Sequence, residues 1–171
     1  LQMIDNDFSV ISLRQGTVCG YSPRMRLDLV VNTMFKNSIL EKEIIVNNPS
    51  IWRPILGIED AASAYIRAIE ANAGISGIFN VASGNYTIGE IADIVKIAMM
   101  KYFDIDVKLN IKSISDYRNY KVSIKKANNI LSFHPKYDIN LIIKDLVDNF
   151  DYFKDLDNDN YYNIKVFKSM N

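Results

Sequence analysis

The chain has 171 residues, a length that suits one domain with a hydrophobic core of its own. Its 20 basic and 20 acidic residues cancel, which argues against nucleic acid or an anionic membrane surface as a partner. The single cysteine excludes an internal disulfide, and the single histidine argues against a His/Cys metal site. No apolar run approaches the roughly 20 residues of a membrane helix, and residues 1–7 lack the basic start of a signal peptide. We therefore expect a cytoplasmic protein, and the start at Leu1 suggests a truncated or processed piece.

The first predicted elements are a strand, a loop and a helix. Phe8–Leu13 is a short apolar, β-branched run, which predicts a strand buried on both faces. Arg14–Pro23 contains two glycines and a proline and is predicted to be a loop. Asp28 is of a type that caps helices, and the apolar spacing after it predicts a helix that ends near Leu40.

Strands and helices then alternate, which predicts an α/β fold. Thr87 and Glu90 have the spacing of a capping box, and Asp60 is predicted to cap an alanine-rich helix. From Asp155 the chain is rich in Asp, Asn and Tyr, so residues 155–171 are expected to form a polar, frayed tail. The remaining strands are predicted at Glu43–Val46, Arg53–Ile58, Gly77–Ala82 and Val107–Ile111, and the helices at 60–73, 87–102, 123–133 and 140–153.

Arginines in loops and at strand ends are the main candidates for ligand binding. The chain has only six arginines, and four of them fall in such places, where side chains can point at a ligand. The planar guanidinium suits phosphate because it donates two parallel charge-assisted hydrogen bonds. The alternative is that each of the four makes an ordinary surface salt bridge of little energetic weight. The four are Arg24, Arg26, Arg53 and Arg118.

Other polar or reactive residues have ordinary structural interpretations. The carboxylate of Asp60 is explained by its place at a helix start, and His134, which precedes a proline in a late loop, is expected at the surface. Cys19 is expected to be a small buried hydrophobe, although its loop would lie near a substrate. The aromatic residues of Phe150–Phe153 are expected to pack in or beside the core.

Four local patterns, in this order and at this spacing, resemble the C-terminal, substrate-binding part of NAD-dependent nucleotide-sugar epimerases and dehydratases. These enzymes form the extended short-chain dehydrogenase/reductase family. Each pattern alone has little specificity, but together they cover most of residues 8–137. The patterns are Leu13–Pro23, Arg24–Asn32, Arg53–Asp60 and Asp116–Ser123.

The resemblance implies a set of substrate-binding residues. Arg53 and Arg118 resemble the two arginines that contact the phosphates, and Arg26 is a further phosphate candidate. Asn32 resembles an asparagine that lies by the diphosphate. Thr17 stands where many members have asparagine, and its hydroxyl could bond a sugar oxygen. The base would be read largely by backbone contacts from residues 43–48, so the side chains do not reveal which base or sugar is bound.

The resemblance also implies a domain organisation. Residues 1–154 would be the sugar-nucleotide-binding portion, in which residues 1–24 and 74–86 resemble strands and loops of the Rossmann sheet. A small mixed α/β substrate-binding domain would complete it. We find neither the Gly-rich turn that seats a pyrophosphate nor a convincing Tyr-x-x-x-Lys helix. The formal matches at Tyr117/Lys121 and Tyr161/Lys165 are interpreted as chance, because tyrosine and lysine are abundant here.

These implications lead to a function hypothesis with two alternatives. The chain would hold a nucleotide-diphosphate sugar for an enzyme whose NAD(P) site lies elsewhere, and alone it would be inactive. Its apolar strands resemble strands that pair with other strands on both edges. We therefore predict a homo-oligomer or a partner that carries the missing N-terminal half. One alternative is a non-catalytic nucleotide-sugar-binding, regulatory or dimerisation remnant. The other is a structural α/β domain without a ligand.

Overall fold

The computed structural model describes residues 8–114 and 118–170. The signal-peptide argument on residues 1–7 and the formal match at Tyr117 lie outside these ranges. Within them the chain forms a mixed α/β fold, so the predicted fold class is confirmed. The strands are β1 (Ile11–Gln15), β2 (Thr17–Cys19), β3 (Glu43–Asn47), β4 (Trp52–Gly57), β5 (Gly77–Val81), β6 (Gly84–Thr87) and β7 (Lys108–Lys112). The helices are α1 (Val30–Leu40), α2 (Ile58–Ile69), α3 (Ile88–Phe103), α4 (Lys125–Leu131), α5 (Ile139–Asp148), α6 (Phe150–Phe153) and α7 (Asn163–Ser169), with a 3₁₀ turn at Asp159–Tyr161.

The strands form three small sheets, in which most neighbours run parallel. β1 pairs with β5, and β3 pairs with β7, both in parallel. In the third sheet β4 lies between β2, which is parallel to it, and β6, which is antiparallel. The register places Thr17 opposite Ile55 and Arg53 opposite Tyr86. This sheet therefore brings two candidate ligand-binding residues, Thr17 and Arg53, onto adjacent strands.

A close backbone approach explains one glycine between β1 and β2. A Cβ atom at Gly16 would lie 2.9 Å from the carbonyl oxygen of Pro54 in β4. The Gly16 N–H also donates to the carbonyl of Val81 at 2.9 Å. A side chain at position 16 would clash with the backbone of β4. The connection between β1 and β2 therefore requires glycine at this position.

Two buried clusters hold these elements together. The larger one lies among α1, α3, α5 and β3, and its centre includes Phe35, Ile91 and Met99, each fully buried. The smaller one packs α2 and α4 against β5 through Phe79 and Phe133. Each such side chain contributes about 1.5–3 kcal/mol through burial. The apolar residues that recur at helical spacing in the sequence therefore form the core, and this core positions β2, β3 and β4.

Several predicted boundaries and caps are wrong. The predicted loop at residues 14–23 contains β2, and β6 was not predicted. Asp28 does not cap α1, because the N-cap is Leu29 and no side chain caps it. The N-cap of α4 is Ile124 rather than Ser123, although Ser123 Oγ accepts a hydrogen bond from the Lys125 N–H at 3.4 Å. The predicted helix at 140–153 is divided into α5 and α6, and Asp138 caps α5 by accepting a hydrogen bond from Leu141 N.

The N-terminus of α3 is the capping box that the sequence predicts. Thr87 Oγ1 accepts a hydrogen bond from the Glu90 N–H at 3.1 Å. The Glu90 carboxylate accepts one from the Thr87 N–H at 2.6 Å. Two N–H groups that the helix itself cannot satisfy therefore find partners within one turn.

Replacing Glu90 by alanine is expected to lower the free energy of unfolding by about 0.5–1 kcal/mol at pH 7. The hydrogen bond from the Thr87 N–H is the main reason that the pKa of the Glu90 carboxyl lies below its usual value. A lowered folded-state pKa stabilises the fold fully above the unfolded pKa of about 4.3, and this is lost as the pH falls through the folded pKa. Urea unfolding of both proteins at several pH values between 7 and 2 measures the difference, which should shrink in acid. A difference that does not change with pH would contradict the ionic part of the cap.

The segment after α6 is partly packed rather than frayed. Leu156 and Tyr161 are buried in the larger core cluster. The Leu27 N–H donates to the carbonyl of Tyr161 at 3.0 Å, and the Tyr162 hydroxyl donates to that of Leu156 at 2.7 Å. The final helix, α7, has no buried residue. Across residues 8–114 and 118–170, no helix combines the length and apolar character needed to cross a bilayer.

Candidate functional site

Three of the five candidate residues line one cavity. It has a volume of about 370 Å³ and is bordered by Thr17, Arg53 and Arg118. Its walls also include residues of α1 and of β3, among them Asn47, which belongs to the stretch that the resemblance assigns to the base. The volume falls within the roughly 300–1,000 Å³ of small-molecule sites. Residues more than 100 positions apart in the sequence are thus brought to one concave surface.

Arg53 reaches the cavity from the start of β4. It is half-buried, and its Nη1 atom donates to the carbonyl oxygen of Trp52 at 3.0 Å. The strand that carries it is held on both sides, by β2 and by β6. A guanidinium on a central strand is well placed to bind an anion, because little further ordering of the backbone is needed.

Arg118 reaches the same cavity from the segment that precedes α4. The residue is exposed, and the residues after it run back along the start of β4. The two arginines are 65 positions apart in the sequence, and only their resemblance to a pair of phosphate-binding arginines indicated that they lie together. Guanidinium groups bind phosphate oxygens through parallel charge-assisted hydrogen bonds, so the cavity suits a diphosphate.

Arg26 and Asp28 form an ion pair at the edge of the cavity. The Arg26 Nε and Nη2 atoms donate to the two Asp28 carboxylate oxygens at 2.9 and 3.0 Å. This pairing is the main reason that the pKa of the Asp28 carboxyl lies below, and that of Arg26 above, its usual value. Asp28 borders the cavity, whereas Arg26 borders a smaller one nearby. Sequence reasoning placed Asp28 at a helix cap and missed this role.

Asn32 is turned into the protein. It is 1% exposed, and its side-chain oxygen accepts a hydrogen bond from the Gly20 N–H at 3.1 Å. Its Nδ2 group donates to the carbonyls of Arg26 at 3.0 Å and Gly20 at 3.3 Å. Gly20 has a φ of +114°, a left-handed conformation that favours glycine. Asn32 therefore ties the loop after β2 to the segment that carries Arg26.

Cys19 directly precedes Gly20 in the sequence, and its side chain is buried, as predicted. Burial is the main cause that raises the pKa of its thiol to about 12, against smaller opposing effects of the backbone at Val31 and Asn32. The thiol is therefore neutral at physiological pH and is not a nucleophile. His134 is exposed and its Nδ1 lies 2.7 Å from Asn128 Nδ2, so the prediction of a surface histidine is confirmed.

Asp60 is not a helix cap. The N-cap of α2 is Gly57, and Asp60 lies in the first turn, 2% exposed. Its carboxylate accepts hydrogen bonds from Ser83 Oγ at 2.6 Å, from Lys136 N at 2.8 Å and from Tyr137 N at 3.0 Å. The carboxylate joins three separate segments of the chain. It is a structural group rather than a free general base, as the sequence analysis expected, but for a different reason.

The formal match at Tyr161 and Lys165 is not a catalytic pair, and no metal centre is found among the described residues. Tyr161 is packed against the core, and Lys165 pairs with Asp159 at 2.7 Å, so these two do not form a Tyr-x-x-x-Lys pair. Within residues 8–114 and 118–170, no group of three or more His, Cys, Asp or Glu side chains could hold a metal ion.

No protein-family model matches the sequence. Solved structures with a similar fold include ADP-L-glycero-D-manno-heptose-6-epimerase from Helicobacter pylori, at 24% identity and a TM-score of 0.70, covering 85% of this chain and 45% of that one. UDP-glucuronic acid 4-epimerase from Bacillus cereus, in complex with UDP-glucuronic acid and NAD, has 23% identity and a TM-score of 0.67, with coverage of 84% and 45%. dTDP-glucose 4,6-dehydratase from Bacillus anthracis, in complex with NAD, has 18% identity and a TM-score of 0.66, with coverage of 91% and 47%.

The chain therefore spans about half the length of the solved structures that it matches. The part that it matches has the parallel strands and mixed α/β packing described above. The fold of this chain is that of the C-terminal portion of sugar epimerases and dehydratases.

Proposed function

We propose that this chain is the nucleotide-diphosphate-sugar-binding portion of an NAD-dependent sugar epimerase or dehydratase. The observation that carries the proposal is the presence of Arg53 and Arg118 at one cavity of about 370 Å³, which Thr17 also borders. The fold shared with sugar epimerases and dehydratases supports this assignment. The function of the site is to hold the diphosphate and to present the sugar.

The residues of the cavity have separate roles in this proposal. Arg53 and Arg118 donate charge-assisted hydrogen bonds to the phosphate oxygens. The Thr17 hydroxyl bonds a sugar oxygen, and β3, with Asn47 at its end, borders the base. These groups together offer more donors than acceptors, which suits a ligand whose charge is negative.

Arg26 and Asn32 take supporting roles. Arg26 can contact a phosphate only if it leaves Asp28, and the cost is small because exposed ion pairs contribute only about 0–1 kcal/mol. Asn32 acts through its three backbone hydrogen bonds, which hold the loop after β2 and the segment of Arg26 in place. We therefore propose that Asn32 shapes the site without contacting the diphosphate.

NAD(P) is proposed as the cofactor of the intact enzyme, in agreement with the NAD complexes of two of the similar proteins. The cavity beside Cys19 and Gly20 measures about 160 Å³. It is smaller than the roughly 300–1,000 Å³ of small-molecule sites, so it does not fit a dinucleotide. We propose that most contacts to the cofactor come from polypeptide outside this chain, so this chain alone should show no redox turnover.

A nucleotide titration followed by amide NMR tests the proposed function. The purified chain is titrated with UDP, ADP, CDP, GDP and dTDP, and we expect dispersed peaks near Arg53, Asn47 and Arg118 to move with at least one of them. The nucleotide that moves them identifies the base. Dispersed peaks that move with none would contradict the proposal and favour a non-catalytic remnant or a structural domain.

We further propose that the edge of β1 and the exposed stripe of α2 receive a second polypeptide. Within the described residues β1 pairs only with β5, so its other edge offers unpaired backbone groups. Beside it α2 exposes Tyr65, Ile66 and Ile69, at 52%, 53% and 82%. In the intact enzyme the second polypeptide is the cofactor-binding half. The chain alone is expected to cover the same surface by self-association.

Replacing Ile69 by aspartate is therefore expected to weaken self-association of the chain by about tenfold or more, since it places a charge in an apolar interface. Sedimentation velocity over a range of concentrations measures the effect. Ile97, which is 67% exposed on α3, provides the matched control, because Ile97→Asp should leave association unchanged. A wild-type chain that stays monomeric, or equal effects of the two substitutions, would exclude this surface.

A further inference from the structure

Trp52 precedes Arg53 on β4 and contacts the segment that carries Arg118. Its carbonyl oxygen accepts hydrogen bonds from Arg53 Nη1 at 3.0 Å and from Tyr120 N at 3.4 Å. Its N–H donates to Asn119 Oδ1 at 3.0 Å. One residue therefore links the strand of Arg53 to residues 118–122, the segment that begins with Arg118.

The ring of Trp52 makes a further contact with this segment. Lys121 Nζ lies 3.3 Å from the centroid of the indole ring, which is a close cation–π geometry. Trp52 is half-buried and Lys121 is exposed, so their contact lies at the protein surface beside β4. Tryptophan is the side chain on which a cation is held most strongly, because its ring has the largest negative face.

Asn85 holds the other end of the same segment. Its Nδ2 group donates to the carbonyl of Val122 at 3.0 Å, and its Oδ1 atom accepts from the Val122 N–H at 2.9 Å. Asn85 belongs to β6, which pairs with β4 directly opposite Pro54. The segment 118–122 is therefore anchored to both β4 and β6 without belonging to either strand.

We infer that Trp52, Lys121 and Asn85 are positioning residues that hold Arg118 at the cavity before a ligand binds. This inference rests on the proposed function and extends it to residues that do not line the cavity. Anion binding by Arg118 requires an ordered backbone at this segment, and ordering one backbone residue costs about 1–2 kcal/mol. If the segment is ordered before the ligand binds, a larger fraction of the protein is competent to bind. The apparent dissociation constant is then lower.

The test combines ligand affinity with the fluorescence of Trp52, which is the only tryptophan of the chain. The probes are UDP and inorganic pyrophosphate. Lys121→Gln is expected to change the emission of Trp52 in the free protein and to raise the dissociation constant of both probes by about threefold to tenfold. Lys121→Arg should restore both properties, because a guanidinium also stacks on an indole ring. A structural role alone would not predict this paired restoration.

Lys125→Gln is the matched control, because it removes the same charge from an exposed lysine four positions away on α4. It should change neither the emission nor the affinity. Equal effects of Lys121→Gln and Lys125→Gln would overturn the inference, since they would show a general effect of charge. An unchanged affinity of Lys121→Gln would also overturn it while leaving the proposed function intact.

Asn85→Ala provides a second variant with a larger expected effect. It removes both hydrogen bonds to Val122, and the dissociation constants should rise by about tenfold. Urea unfolding first establishes that the variant is folded, and the Lys121 variants decide the question if it is not. A wild-type chain that binds neither pyrophosphate nor any of the five nucleotides of the NMR titration would overturn the proposed function, and this inference with it.

Discussion

Replacing Arg53 by alanine is expected to weaken the binding of a nucleoside diphosphate by roughly 10-fold to 100-fold. Hydrogen bonds to a charged group contribute about 1.5–3 kcal/mol each, and tenfold in affinity corresponds to about 1.4 kcal/mol. The same substitution removes the bond from Arg53 Nη1 to the Trp52 carbonyl, which can then remain solvated at the half-buried site. Isothermal titration calorimetry with the nucleotide that moves the NMR peaks measures the loss.

Two further variants separate phosphate recognition from a general effect of charge. Arg53→Lys keeps the charge but loses the planar fork, so its affinity should lie between those of the wild type and the alanine variant. Arg67→Ala removes an exposed arginine on α2 that pairs with Glu70 at 3.2 Å. It lies outside the site and should bind as the wild type does. Equal affinity of the Arg53→Ala variant and the wild type would exclude Arg53 as a phosphate ligand.

Replacing Asp60 by alanine is expected to lower the free energy of unfolding by about 3–5 kcal/mol. The buried carboxylate accepts three hydrogen bonds, and the alanine variant leaves the donors on Ser83, Lys136 and Tyr137 without it. Domains of this size are stabilised by only about 5–15 kcal/mol, so the variant should lie close to unfolding at 25 °C. Urea unfolding followed by circular dichroism measures the change.

The asparagine variant of Asp60 tests the arrangement of these bonds. One carboxylate oxygen accepts from Lys136 N, and the other accepts from both Ser83 Oγ and Tyr137 N. An amide offers one acceptor oxygen, and its NH₂ group would face a backbone N–H, so Asp60→Asn should also be destabilising, by about 2 kcal/mol. Glu59 is exposed in the same helical turn, and Glu59→Ala should cost less than about 1 kcal/mol. A stable Asp60→Asn variant would contradict the hydrogen-bond assignment.

Asp60 and the site are linked through the framework rather than by direct contact. The Ser83 hydroxyl that donates to Asp60 also accepts a hydrogen bond from the Gly57 N–H at 2.8 Å, at the end of β4. Arg53 lies at the other end of the same strand. The carboxylate thus fixes the carboxyl end of β4 and the start of α2, while β2 and β6 hold its sides. The proposed substrate-binding role of Arg53 depends on a strand that is held throughout its length.

The arrangement of the cavity also predicts which part of a ligand it should favour. Two arginines border it, and the carboxylate of Asp28 is paired with Arg26 at its edge. Because guanidinium groups bind phosphate oxygens through charge-assisted hydrogen bonds, a diphosphate should be the dominant determinant of affinity. The sugar and base contacts of Thr17 and Asn47 would then select among nucleotide sugars rather than supply most of the binding energy.

The amino-acid sequence by itself determined the elements whose stabilising contacts are local. The capping box of Thr87 and Glu90 starts α3 as predicted, because its hydrogen bonds form within one turn. Alternating apolar runs likewise predicted β3, β4, β5 and β7 to within a few residues. The resemblance of four local patterns pointed to Arg53 and Arg118 as phosphate-binding residues, and that assignment stays a prediction.

Only the tertiary structure decided the features whose partners are distant in the chain. β2 and β6 are strands of three and four residues that exist because β4 lies between them. Asp60 resembled a cap in sequence, but its donor at Lys136 is 76 positions away. Asn32 was expected by the diphosphate, and its side chain binds the backbone at Gly20 and Arg26 in the loop that precedes α1. Local propensity can be predicted from neighbouring residues, whereas the orientation of a side chain depends on packing between distant segments. The candidate site is built from side chains of such distant segments, so only the tertiary structure could show it.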